Sequence, residues 1–320
     1  MDTTNKIKQR FSFVTGAARR KELIYLAATD DEATSPTEAH FMLLAWYQGE
    51  WICPGGRPWP AVAVDVSLDP IPQMAVVGPL GEATFSGAGD EHDETVASGE
   101  FSANSHGTLR ALRAIDGKAH VAGMGRQVYR RDSPDQWTLL TSDDMWPGDE
   151  VRGFEAIDGF SSNDLYAVGW SGEIWHYNGT QWHQIDSPTK SILTDVCCAG
   201  DGNVYACGRS GLLLRGRGDE WVVLAQKEMN ADFWSMRWFQ GQLYLSGLTG
   251  VFRLDESGEI NAIDFGDDTP GSAYHLTACD DALVSIGAKD IMMFDGESWT
   301  RIACSLIAAP DRCVSCNDLA

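Results

Sequence analysis

The chain has 320 residues, with 46 Asp and Glu against 24 Lys and Arg and a formal charge of −22. A chain this acidic is excluded from non-specific binding to nucleic acid or to an anionic membrane, since it repels both polyanions. No apolar run reaches the ~18 residues of a transmembrane helix, and the start of the chain (Met1 to Lys6) has no apolar signal segment, so a cytoplasmic protein is expected.

The chain opens on a basic stretch: Lys6, Lys8, Arg10, Arg19, Arg20 and Lys21. Inside it, Arg10-Phe11-Ser12-Phe13-Val14 alternates, with both phenylalanines on one face, which predicts a half-buried strand. This strand, near residues 10–14, is expected to complete the last repeat of a ring and so close it. A binding arm or an organelle presequence is the alternative.

A repeated unit follows. Met42 to Trp51 carries its second half, and Val76-Val77-Gly78-Pro79-Leu80-Gly81 is a weaker copy without the tryptophan. His120-Val121-Ala122-Gly123 leads to Val128-Tyr129 and Trp137. The fullest copy runs from Asn163 to Trp182: an apolar strand, Leu165 to Val168; a turn, Gly169-Trp170-Ser171-Gly172; an alternating strand, Glu173 to Tyr177; and the hairpin signal Asn178-Gly179, whose residues tolerate positive φ. Later copies start at Val204, Leu243 and Leu283 and reach Trp221, Ile260 and Trp299. One more strand is predicted before each good copy, over residues 109–115, 151–157, 193–199, 233–239 and 274–279. Turns this close together leave no room for helices.

The first glycines, Gly78, Gly123, Gly169, Gly208, Gly247 and Gly287, recur at a period of about 40 to 45 residues, the span of a four-stranded propeller blade. Six glycine-marked copies and the Trp51 copy make seven. The predicted fold is therefore all-β: a single seven-bladed β-propeller of four-stranded antiparallel blades over residues 1–320, with 305–320 as a C-terminal tail. A closed ring buries both faces of every sheet, which no single blade can do. A β-sandwich or an open solenoid of hairpins is the alternative. The hairpin tryptophans Trp51, Trp137, Trp182, Trp221 and Trp299 hold one repeat position and are expected to pack blade against blade.

The pattern N-D-L-Y-A-V-G-x-x-G-x-I-x-H-Y-N-G-x-x-W resembles the blades of bacterial propellers of the YVTN, BNR and photosystem-assembly-factor-like type. The resemblance spans about residues 108–302. It lacks the Gly-His and Trp-Asp dipeptides of WD40 blades and convincing Asp boxes. It implies a fold and carries over no catalytic residue.

In a propeller the first strand of each blade lines the central channel. The turns between second and third strands, and the links between blades, open on one face. The repeat places Arg110, Arg152, Thr194, Trp234 and Tyr274 at first-strand starts. It places Met124, Arg126, Trp170, Arg209, Leu248, Ala288 and Lys289 in or just beyond the turns, and Met145, Trp146, Glu228, Met229, Asn230 and Asp232 in the links. Arg110, Arg126, Arg152, Arg209 and Lys289 are expected to converge at one mouth, ringed by Trp146, Trp170, Trp234 and Tyr274. Arginine with exposed tryptophan is the composition of interface hot spots. The alternative is that the arginines pair with acids of neighbouring blades and the tryptophans pack between blades. Trp170 breaks the repeat, since its counterparts are Met124, Arg209, Leu248 and Ala288.

Catalytic signals are poor. The seven histidines are scattered, and there is no G-x-S-x-G elbow or nucleotide-binding glycine motif. Glu155 and Asp195 are the clear first-strand acids, each with a salt bridge as the simpler reading. The eight cysteines are expected to be reduced. Cys313-Val314-Ser315-Cys316 is a C-x-x-C with no second pair at zinc spacing, so no metal and no cofactor is expected. These features point to a non-catalytic protein-binding propeller, and most specifically to a cytosolic immunity protein, a monomer on its own, that binds and neutralises a basic bacterial toxin domain. A glycoside hydrolase or lyase with a channel-mouth site, and an assembly or scaffold factor, are the alternatives.

Overall fold

The computed structural model describes residues 11–31, 41–97, 103–146, 148, 150–224 and 229–304. These form seven four-stranded sheets, and in every sheet the strands follow chain order from one edge to the other. The sheets are the blades of a β-propeller, with inner strands Phe11–Arg20, Ala63–Ser67, Leu109–Ile115, Phe154–Ser161, Leu193–Cys198, Phe233–Phe239 and His275–Ala278.

The core is divided among the clefts between blades. Seven apolar clusters occupy them, each drawing side chains from two neighbouring sheets. One joins Phe13, Ile24 and Leu44 of the first blade to Val284, Ile286 and Ile291 of the seventh, and this packing closes the ring. The repeat-position tryptophans sit in these clefts. Trp51 stacks on Phe13 and its Nε1 donates to the Ala303 carbonyl beyond the seventh blade at 2.9 Å. Trp137 meets Phe85 of the second blade, and Trp221 meets Tyr166 of the fourth. Ile260 takes the place of the tryptophan in the cleft between blades five and six.

The N-terminal strand corrects one expectation. Phe11–Arg20 does not complete the last blade, which has its own four strands; it is the inner strand of the first and pairs with Leu23–Asp30. Its length and its apolar inner face suit a strand buried at the ring centre. It still touches the seventh blade, where the Phe13 N–H donates to the Ala288 carbonyl at 2.9 Å. Lys6, Lys8, Arg10 and the Cys313–Cys316 pair lie outside the described residues.

The recurring first glycine has a steric cause. It ends the second strand where the inner strand bulges toward it. A Cβ on Gly169 would lie 2.0 Å from the Gly153 carbonyl oxygen, and one on Gly208 would lie 2.4 Å from that of Ile192. The bulges show as register shifts in the inner strands of blades three to six. A bulge inserts one unpaired residue and re-aims its side chain. Here the inserted residues are Arg110, Glu155, Thr194 and Trp234.

Candidate binding face at the channel mouth

The bulged side chains all meet at one end of the central channel. With Val14 of the first blade and Tyr274 of the seventh, they line a cavity of about 490 Å³. Its deeper wall holds Arg113, Asp195, Arg237 and His275. The turns after the second strands and the links between blades surround this opening, so the mouth is a face built from a repeating frame.

Most of the candidate side chains lie in the strands, turns and links around it. Trp234 is 45% exposed and Leu248 60% exposed, both beside the channel. Arg209 is exposed, and among the described residues its guanidinium makes no ion pair or side-chain hydrogen bond. Arg110 is exposed in the bulge, with Nε 3.8 Å from Glu155 Oε1. Trp170 is half-buried, and its Nε1 donates to Glu155 Oε1 at 2.5 Å. Trp146 lies against His106 with ring centroids 3.4 Å apart. Tyr274 donates its hydroxyl to the Phe13 carbonyl, and Lys289 donates to the Phe11 carbonyl at 2.6 Å and pairs with Asp31. Glu228 lies outside the described residues.

Two of the arginines are held by the fold. Arg126 makes a two-pronged pair with Glu173, at 2.8 and 2.6 Å, and donates to the Met145 carbonyl at 2.8 Å. Arg152 reaches the same carboxylate at 2.9 Å. Burial alone would raise the Glu173 pKa, but the hydrogen bonds from Arg126 and Arg152 outweigh it and hold the carboxyl below its usual range. Arg152 is also not at a first-strand start. The fourth inner strand begins at Phe154, three residues later than the sequence pattern suggests. Gly153 comes so close to Met124 that a Cβ would lie 2.4 Å from its Cα, and the two residues form an isolated bridge. The position equivalent to Arg110, Thr194 and Trp234 is therefore Glu155.

Carboxylates in the channel have structural partners. Asp195 Oδ2 accepts the Met236 N–H at 2.7 Å and faces Arg237 Nη1 at 3.1 Å. Asp158, absent from the sequence-derived candidates, pairs with Arg113 at 3.2 Å and accepts the Cys198 N–H at 2.8 Å. Cys53, Cys197, Cys198, Cys207, Cys279 and Cys304 are free thiols. Burial pushes the Cys197 thiol up to about 12, so it stays protonated and unreactive. On the outer rim, His92, Glu94 and Asp135 bring three ligand-type atoms together. Both Glu94 oxygens are already engaged, one by Arg131 at 2.7 Å and the other by the Asp135 N–H and Trp137 Nε1, so this group is a structural network.

No family model matches the chain. Several solved propellers resemble it. YCF48 bound to a D1 peptide is 15% identical, with TM-score 0.60 and coverage of 89% of this chain and 91% of that one. Sqt1 of Saccharomyces cerevisiae is 11% identical, with TM-score 0.59 over 91% and 84%. The WD40 propeller domain of Doa1 is 12% identical, with TM-score 0.59 over 91% and 92%. At such identities the likeness shows the fold alone, and it supports the propeller-type resemblance without singling out the YVTN or BNR type. A much nearer relative is the immune protein Tsi7 of Pseudomonas aeruginosa, 43% identical over 304 residues, which cover 93% of this chain and 99% of that protein. The kinship takes in nearly the whole of both proteins, and the chain belongs to the family of the immune protein Tsi7.

Proposed function

We propose that this immunity protein neutralises a toxin domain by binding it on the mouth face of the propeller, as a cytoplasmic monomer, and that the toxin surface it covers is basic. The observation that carries the role is the 43% identity to an immune protein across nearly the whole of both chains. It makes the protein a binder rather than an enzyme.

The choice of face rests on composition. Val151, Trp234 and Leu248 are exposed around the mouth, with Arg209, unpaired among the described residues, beside them. Large apolar groups and arginine supply most of the energy of protein interfaces. Outside them, Asp143, Asp144, Glu150, Asp264 and Asp267 are exposed on the links between blades. An apolar centre with an acidic rim suits a basic partner, because the rim speeds encounter and excludes acidic competitors.

The test is co-expression with the toxin domain that a neighbouring gene is expected to encode, followed by pull-down. The wild-type chain protects the cells and retains the toxin, and the triple variant Trp234→Ala, Leu248→Ala, Arg209→Glu does neither. Full protection by the triple variant would move the interface to another face. No protection by the wild type would refute the pairing itself.

A further inference from the structure

Three arginines line the central cavity, Arg110 near its mouth and Arg113 and Arg237 on its deeper wall, against two acids, Glu155 and Asp195. The chain as a whole runs the other way, with 46 Asp and Glu against 24 Lys and Arg. Both acids are committed to the frame. Glu155 Oε1 accepts from Trp170 at 2.5 Å. Asp195 Oδ1 accepts the Val196 N–H at 2.9 Å, and its Oδ2 serves Met236 and Arg237. Asp65 and Asp158, whose charges also reach Arg113, do not line the cavity, and each has both oxygens in hydrogen bonds.

The arginines keep donors to spare, since a guanidinium offers N–H groups on every nitrogen and accepts nothing. Arg113 uses Nε alone, on Asp158 at 3.2 Å, and among the described residues no hydrogen bond reaches its Nη1 or Nη2. Arg237 gives Nη1 to Asp195 and to the Met236 carbonyl, while its Nε has no partner among the described residues. Arg110 approaches Glu155 no closer than 3.8 Å, too far for a hydrogen bond. An arginine held on one edge by a fixed carboxylate keeps its remaining N–H groups for a second, planar anion. The two deep arginines share a neighbourhood. Burial, then Arg237 and Arg113, lower the His275 pKa to about 3, so both charges are felt at one ring, itself neutral. Arg113 lies three residues beyond Arg110 on the same inner strand, about 10 Å along it at the usual rise. The cavity therefore carries guanidinium groups at two depths. Much of the remaining wall is apolar, with Val14, Val62, Leu112, Ile157 and Val196.

We propose that the channel cavity binds a small dicarboxylic acid, with one carboxylate on Arg113 and Arg237, the other on Arg110 at the mouth, and the carbon chain against the apolar wall. A volume of about 490 Å³ with an apolar lining and a few placed polar groups is that of a small-molecule site. The guanidinium fork matches a planar carboxylate better than a tetrahedral or spherical anion of the same charge when two oxygens are taken at once. The overall charge of −22 does not forbid this, because salt screens distant surface charge beyond about 8 Å and leaves the local donors to decide. The inference goes beyond the toxin-binding reading and does not rest on it, since the free chain holds the ligand.

The experiment is calorimetric titration of the full chain with glutarate, acetate and inorganic phosphate at constant ionic strength, with thermal melts alongside. Glutarate is expected to bind with a stoichiometry of one, at least tenfold more tightly than acetate or phosphate, and to raise the melting temperature. Arg110→Gln changes an exposed side chain with no hydrogen bond among the described residues, so the fold is retained. It is expected to lower glutarate affinity at least tenfold, to the level of acetate, because only the deep carboxylate then finds a guanidinium. Arg215→Gln, on an outer strand and exposed, is expected to bind glutarate like the wild type. Wild-type protein that binds no glutarate, or binds it no more tightly than acetate or phosphate, overturns the proposal. So does Arg110→Gln that binds glutarate as tightly as the wild type, and so does an equal loss in Arg215→Gln, which would make the attraction a diffuse effect of charge.

Discussion

Asp195 in the inner strand of the fifth blade accepts the backbone N–H of Met236 in the sixth at 2.7 Å, although these two strands share no ladder. The same stitch recurs around the channel. Asp65 takes the Ala114 N–H at 2.8 Å, Asp158 takes the Cys198 N–H at 2.8 Å, and Ser235 Oγ takes the Leu276 N–H at 3.2 Å. Thr277 Oγ1 takes the Ala18 N–H at 3.0 Å and thereby ties the last blade to the first. Inner strands approach one another at the axis with backbone groups that no sheet satisfies. A short acceptor from the preceding blade meets that need.

The stitches predict a graded loss of stability. Asp195→Ala removes the acceptor and leaves Arg237, largely buried, without its ion-pair partner, so a cost of about 3–5 kcal/mol is expected. Thr277→Val removes one neutral acceptor and is expected to cost about 1–3 kcal/mol. Urea unfolding followed by tryptophan fluorescence measures both. Equal costs would show that the charge on Asp195 adds nothing to the stitch.

Gly169→Ala tests the steric origin of the repeat. The added methyl would lie 2.0 Å from the Gly153 carbonyl oxygen, in a bulge pinned on both sides, so the variant is expected to fail to fold or to lose more than about 3 kcal/mol. Gly202→Ala is the control. Its φ is +84° and nothing stands within 4 Å of the new atom, so only backbone strain remains, at about 1 kcal/mol. Thermal melts of the two variants that differ by less than a few degrees would remove close approach as the reason for the glycine.

The glycine period made the number of blades legible, because the close approach that demands a glycine recurs in the fold as it does in the chain. The inner strands were harder to read. A bulge displaces the alternation by one residue, and in the fourth blade the strand begins three residues beyond where the pattern starts, which exchanged Arg152 for Glu155 and left Asp158 unnoticed. The second blade hid Asp65 because its copy has no tryptophan to align on. Which arginines are free was not legible at all. Arg126 and Arg209 occupy neighbouring positions in equivalent turns, and only the third strand decides between them: Glu173 on the next blade captures Arg126, and no described acid captures Arg209.

Two buried histidines predict the acid side of the stability curve. Burial, then Arg237 and Arg113, pull the His275 pKa down to about 3, and the ring donates to the Gly16 carbonyl at 3.0 Å. Burial lowers His120 to about 4. Unfolded histidine titrates near 6.5. Between these values the unfolded chain binds more protons, so stability is full above about pH 6.5 and falls as the pH drops toward 4 and then 3. Below the folded values the two residues add no further loss. His275→Gln keeps a donor for Gly16 and is expected to flatten the curve over this window. A variant with the wild-type slope between pH 4 and 6.5 would assign the loss to other groups.

Trp234 and Arg126 separate binding from folding on the same face. Trp234→Ala removes a ring that is 45% exposed and stands on the cavity rim outside the cleft clusters of the described residues, so stability is expected to change by no more than about 0.5 kcal/mol. If the mouth face meets the toxin, affinity falls by about 2 kcal/mol, roughly thirtyfold. Arg126→Ala acts the other way. It leaves Glu173, whose side chain is 2% exposed, with Arg152 as its remaining cation, and is expected to cost about 2 kcal/mol of folding stability. That loss is full above the range where an unfolded glutamate titrates and shrinks as the pH falls through and below it, because the depressed Glu173 pKa contributes only while the carboxyl is ionised. Unfolding curves and toxin affinities measured side by side give the answer. A Trp234→Ala protein that is destabilised yet binds normally would make this tryptophan part of the frame and leave the mouth face without its anchor.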